Sequence, residues 1–178
     1  YDVENRLTAG CDMGPHSLSL GVMSKTYGLA GLRIGWIASL NPDVIERLAL
    51  LKDYTTLCNS APSEFLAELA LRHRQRLVDR NLGLIKENLI LLEDFFSHFH
   101  QTFEWDRPRA GCIAFPKLLN QDSAEFCDRV LHETGVLLAP ASMFDVNSNH
   151  FRIGFGRADM KCGLEKLTQY IKKASSGR

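Results

Sequence analysis

Between Leu82 and Phe99 the apolar residues Leu82, Ile85, Leu89, Leu92, Phe96 and Phe99 recur at steps of three or four and at no other spacing. Such steps return each side chain to one face of a helix, so one long helix with a continuous apolar stripe is expected here. A helix of that length has to bury its stripe against other elements and is long enough to join two lobes. On either side of it, short apolar runs alternate with helical runs, the pattern of α/β or α+β folds.

Leu18–Met23 reads as a short buried strand and Gly35–Leu40 as another. Asn41 then caps a helix that Pro42 enters at its first turn, with Val44, Ile45, Leu48 and Leu51 on one face. Asn59–Ser63 interrupts the pattern and Pro62 restarts a helix. Beyond the long helix, Gly111–Pro116 and Val136–Ala139 read as strands, the second ended by Pro140. Asp122–Glu133 reads as a helix with Phe126, Val130 and Leu131 inward and Gly135 as its left-handed stop. Phe151–Phe155 is expected to be a strand whose period of two separates Phe151, Ile153 and Phe155 from Arg152 and Gly154. A closing helix carries Met160, Leu164, Leu167 and Ile171.

Composition narrows the function. The 178 residues carry 21 basic and 21 acidic side chains, so no net charge attracts nucleic acid or an anionic membrane. No apolar run approaches the roughly 18 residues of a membrane-spanning helix. Arg72, Arg74, Arg76 and Arg80 read as one solvated helix face rather than a nucleic-acid site. His98 and His100 lie two apart with no ligand partner at metal spacing, so no metal is expected. The cysteines 11, 58, 112, 127 and 162 are odd in number and form no C-x-x-C pair, which favours a reducing, cytoplasmic setting. Cys112 reads as buried filler, and Trp36 and Phe115 read as apolar core in preference to the lining of a cofactor or substrate pocket. The start, Tyr1-Asp2-Val3-Glu4-Asn5-Arg6, lacks both an initiator Met and a signal-peptide core, so the chain is expected to be a piece of a longer protein.

The segment with chemical content is Val22–Trp36, V-M-S-K-T-Y-G-L-A-G-L-R-I-G-W. Gly28, Gly31 and Gly35 imply a backbone that turns tightly or is closely approached. Lys25 and Arg33 stand eight residues apart in it. A lysine, when desolvated or near another cation, condenses with a carbonyl, and an arginine offers a planar fork that matches phosphate oxygens. A cofactor with both an aldehyde and a phosphate, such as pyridoxal phosphate, would use one of each.

S-K-T-Y-G-L-A-G-L-R-I-G-W resembles the lysine signature of class I/II aminotransferases, the fold-type I pyridoxal-phosphate enzymes, with Lys25, Gly28, Leu29, Gly31, Arg33 and Gly35 at matching offsets. F-R-I-G-F-G-R resembles the strand that carries the substrate-carboxylate arginine in that family, with the match on Arg152 and Arg157 a weaker competitor. One position departs from the pattern: Val22 stands where the family commonly has Ser, Thr or Gly.

The resemblance covers about Leu18 to Lys172. It implies the C-terminal part of a fold-type I α/β enzyme: residues 1–84 as a remnant of the large cofactor-binding domain, and residues 85–178 as an interdomain helix and a small α+β domain. It further implies Lys25 as the Schiff-base lysine and proton shuttle, Arg33 as the clamp of the cofactor phosphate, and Arg152 as the ligand of the substrate carboxylate; Ser24, beside Lys25, keeps a hydroxyl that reads either as a further phosphate ligand or as a small residue in a tight turn. The implied reaction moves an amino group between an α-amino acid and a 2-oxo acid, in a homodimeric parent. Lyase or decarboxylase chemistry on the same fold, and an inactive isolated chain, are the alternatives.

Overall fold

The computed structural model describes residues 7–176. Two compact units divide between Asn81 and Leu82. The N-terminal unit contains strands β1 (Leu18–Val22) and β2 (Gly35–Ser39) and helices α1 (Pro42–Thr55) and α2 (Ala61–Arg72), together with the first residues of α3 (Arg74–His98). The C-terminal unit contains the rest of α3, then β3 (Phe103–Glu104), β4 (Ile113–Ala114), β5 (Lys117–Leu118), α4 (Ser123–Thr134), β6 (Ala139–Pro140), β7 (Phe151–Gly154) and α5 (Met160–Ser176).

In the N-terminal unit β1 and β2 pair antiparallel, with Gly21 opposite Trp36 and Val22 opposite Gly35. The indole of Trp36 lies against the space a Cβ on Gly21 would fill, and a Cβ on Gly35 would stand 2.8 Å from the Gly21 carbonyl oxygen. Both positions therefore need glycine for the strands to approach. The Asn41 side chain accepts hydrogen bonds from the amides of Asp43 and Val44 and caps α1 as expected. The strand expected to be buried at Leu18–Met23 instead exposes Leu18 and Leu20, the latter at 71%, and only Met23 is fully buried. Trp36 is likewise half-exposed rather than core. The basic cluster does not occupy one helix face: the helix breaks at His73, between α2 and α3, and all four arginines are exposed.

In the C-terminal unit the stripe on α3 packs as its spacing requires. Leu89, Leu92 and Phe96 are buried, Ile85 and Phe99 flank them, and Phe95 joins the same core. They meet Phe103, Phe126, Val130, Phe151, Ile153, Phe155, Met160, Leu164, Leu167 and Ile171. Asn88 is buried among them, and its amide donates to the carbonyls of Phe155 at 2.9 Å and Arg157 at 2.7 Å, so its burial is satisfied. Asp122 caps α4, and Gly135 ends it at φ 71°. Leu131, expected inward, is exposed at the edge of α4.

The central sheet runs β4-β7-β6, antiparallel throughout. The strand expected at Val136–Ala139 begins later and includes Pro140, which pairs with Phe151. Proline is tolerated there because β6 is an edge strand and needs no inner donor. The two-residue ladder of β3 with β5 had no counterpart in the sequence pattern. Phe115 is 41% exposed and Cys112 only partly buried, so neither is a core residue. Among the described residues no helix is long and apolar enough to cross a membrane.

Phe151 is fully buried, so Phe151→Ala should destabilise the C-terminal unit by about 3–5 kcal/mol in urea denaturation. Leu137→Ala, at an exposed side chain, should change stability by no more than about 0.5 kcal/mol. Burial, helped by the nearby Asp122 charge, pushes the Cys127 thiol up from 9.0 to about 11. Its neutral form is thus favoured by folding. Stability from this group should be complete below pH 9.0 and fall as pH rises toward 11. Iodoacetamide at pH 8 should label exposed Cys58 and Cys162 and reach Cys127 only on unfolding, as peptide mapping would read.

Candidate functional site

The loop from Met23 to Ile34 connects the paired strands and is tied by its own backbone. The Met23 amide donates to the Ile34 carbonyl at 2.9 Å, which closes the loop at its base. The Leu29 amide donates to the Met23 carbonyl at 2.9 Å and folds the loop back on that base. Between them the Gly28 amide donates to the Lys25 carbonyl at 3.1 Å, a tight turn whose last residue has φ 69°. Glycine enters that left-handed region without the Cβ penalty of other residues.

The turn has an outside brace. Asn81, near the start of α3, donates from Nδ2 to the Thr26 carbonyl at 2.9 Å. The same amide would lie 3.2 Å from a Cβ on Gly28. Nothing in the helical periodicity marks Asn81, because its partner is 55 residues away in the chain.

Both cations of the loop are exposed. Lys25 stands at the start of the turn, and its ammonium has no hydrogen bond or ion pair among the described residues. Arg33 follows the 3-10 turn Ala30–Leu32 and is itself left-handed, at φ 54°. Its Nη1 donates to the Ala30 carbonyl at 3.1 Å, which uses one of five guanidinium N–H donors. Ser24 is half-buried beside Lys25. The loop therefore brings Lys25, Ser24 and Arg33 onto one hydrogen-bonded segment of the N-terminal unit, where an amine and a guanidinium both remain available.

Arg152 belongs to the C-terminal unit and lies on β7. Its strand neighbours Phe151 and Ile153 are buried at 0% and 6%, which leaves Arg152 on the opposite, open face. It lines a cavity of about 570 Å³ with Leu137, Gly154, Arg157 and Asp159 among its walls. The two arginines there differ in what holds them. Arg157 is engaged twice by Asp159, Nε to Oδ1 and Nη2 to Oδ2, both at 2.9 Å. Those bonds raise the arginine further above its ordinary value and hold the Asp159 carboxyl below the usual carboxylate range. The Arg152 side chain makes no hydrogen bond or ion pair among the described residues, and its guanidinium lies over the ring of Phe144. Of the two, Arg152 is the one open to an incoming anion.

Over most of its length the chain is similar to known proteins. The family model for aminotransferase class I and II matches residues 3–167. Capreomycidine synthase of Streptomyces vinaceus is 31% identical over 164 residues, covering 90% of this chain and 42% of that protein. LL-diaminopimelate aminotransferase of Natranaerobius thermophilus is 27% identical, over 87% of this chain and 40% of its own. Among solved structures, a PLP-dependent aminotransferase from Streptococcus suis superposes with a TM-score of 0.81 at 33% identity, over 88% of this chain and 42% of that one. A PLP-dependent cyclase superposes at 0.82 with 29% identity, over 93% and 45%. The chain thus spans about 42% of the length of the first of these relatives. Its sequence and its mixed α/β fold place it in the class I and II aminotransferase family.

Proposed function

We propose that the full-length protein carrying this chain is a pyridoxal-phosphate-dependent aminotransferase that moves an amino group between an α-amino acid and a 2-oxo acid. The observation that carries this reading is the placement of Lys25 and Arg33, both accessible, on one self-bonded loop in a chain of this family. The donor set fits the cofactor: an amine for its aldehyde, and a permanently charged fork plus the Ser24 hydroxyl for its phosphate. When bound, pyridoxal phosphate supplies that aldehyde and a ring able to take up the electron pair left at the substrate Cα.

The chain's own residues divide the remaining work. Lys25 Nζ would hold the cofactor through its aldehyde between turnovers and, once released, would take the α-proton from the substrate as general base and deliver it away from Cα, to the cofactor side, as general acid. Arg33 keeps its open N–H donors toward the phosphate while Ala30 anchors the other side of its guanidinium. Arg152 grips the substrate carboxylate and so orients the α-proton. In this reading residues 1–84 belong to a large cofactor-binding domain and 85–178 to an interdomain helix and small domain. The remaining cofactor contacts come from polypeptide beyond these 178 residues, the parent is a cytoplasmic homodimer, and the isolated chain is inactive or nearly so.

A second reading is favoured by the names of two relatives, a synthase and a cyclase. On it the same lysine and arginines serve a non-transaminating reaction such as elimination, decarboxylation or ring closure. Product analysis separates the two: amino transfer that depends on an added 2-oxo acid supports the first, whereas release of ammonia or carbon dioxide, or a cyclic product, supports the second.

In the full-length protein, Lys25→Ala should abolish borohydride-trappable labelling by pyridoxal phosphate and lower turnover by about 10²–10⁴-fold or more. An unchanged visible cofactor band in that variant overturns the assignment. Gly28→Ala, forced to φ 69° against Asn81, should cost about 1–2 kcal/mol locally. It should weaken cofactor retention in equilibrium dialysis without abolishing labelling.

A further inference from the structure

We propose that Phe144 is a positioning residue for Arg152: its ring holds the guanidinium in place without occupying a donor that the carboxylate needs. The proposal rests on the reading of Arg152 as the carboxylate ligand. The guanidinium carbon lies 5.2 Å from the centroid of the Phe144 ring, within cation–π range.

The contrast with Arg157 gives the reason. A carboxylate neighbour such as Asp159 fixes an arginine by taking its N–H fork, and the arginine is then lost to a second carboxylate. An aromatic face attracts the cation through its π-electrons and accepts no N–H in the plane of the fork. Arg152, exposed on its strand and otherwise unpartnered among the described residues, would without Phe144 be a long side chain free in several rotamers.

Phe144 is itself held from two directions. Its backbone ends the 3-10 turn Ala141–Phe144, which is anchored by buried Ala141, whose amide donates to the His150 carbonyl at 2.8 Å. That bond continues the β6–β7 ladder in which Ala139 faces Arg152, so the turn and the arginine are in fixed register. Its ring meets Phe115 edge-on, with centroids 6.2 Å apart at 82°. Phe115 in turn stacks on His150 at 5.2 Å and 13°, and His150 Nδ1 lies 2.9 Å from Ser148 Oγ. Phe115 and Phe144, about 40% exposed each, are therefore a buttress for Arg152 on the open face of the sheet and no part of the core.

The test uses the full-length holoenzyme and two probes of the same shape, the anionic 3-phenylpropanoate and the neutral 3-phenylpropanamide, with dissociation constants read from the cofactor absorbance or by calorimetry. The parent should bind the acid more tightly than the amide, and Arg152→Lys should remove most of that difference. Phe144→Leu should weaken the acid by roughly 2- to 30-fold, the range of one cation–π contact, and leave the amide unchanged. Phe144→Tyr should restore acid binding. An unchanged acid affinity in Phe144→Leu, equal weakening of acid and amide, or no rescue by Phe144→Tyr overturns the proposal while the Arg152 reading stands. Equal binding of acid and amide by the parent, or no effect of Arg152→Lys, overturns that reading and the proposal with it.

Discussion

Strand β7 is the constraint on which the C-terminal unit is arranged. Phe151, Ile153 and, just past the strand, Phe155 enter the core, so every alternate residue is excluded from it. A shift of one residue would drive a guanidinium into the densest part of the unit and expel three large apolar side chains. The same packing that stabilises the unit therefore decides where Arg152 stands. β6 and β4, paired on either side, keep that register from slipping.

The N-terminal unit solves a similar task with little core. Its helix α1 buries no residue fully, and its order near the candidate loop comes from backbone hydrogen bonds and from glycines that let strands and turn approach. Such a loop is specified by conformation more than by packing, so substitutions at Gly21, Gly28 or Gly35 act through geometry.

Much of this was legible in the chain. The stripe on α3, the Asn41 cap, the stop at Gly135 and the alternation in β7 all follow from local rules that the core later enforces. The candidate loop was legible because its motif is dense over thirteen residues. Other features were not. Leu18–Met23 is buried only at Met23, since a short apolar run states hydrophobicity and not what covers it. The two-residue ladders are too short to leave a period. Asn81 and Phe144 act through partners set by tertiary structure, 55 residues distant in the first case, so neither spacing nor composition could mark them.

The two arginines of the C-terminal cavity are restrained by different physics, and they should part company when the medium changes. The Arg157–Asp159 pair is a solvent-exposed attraction of opposite charges, which mobile ions weaken. The hold of an aromatic quadrupole on Arg152 is short-ranged and involves no acid that protonation could remove. In concentrated brine Arg157 gains freedom and becomes a rival for anions, while under mild acidity the depressed Asp159 keeps it tethered. Discrimination between the neighbouring cations is thus sharpest in dilute buffer.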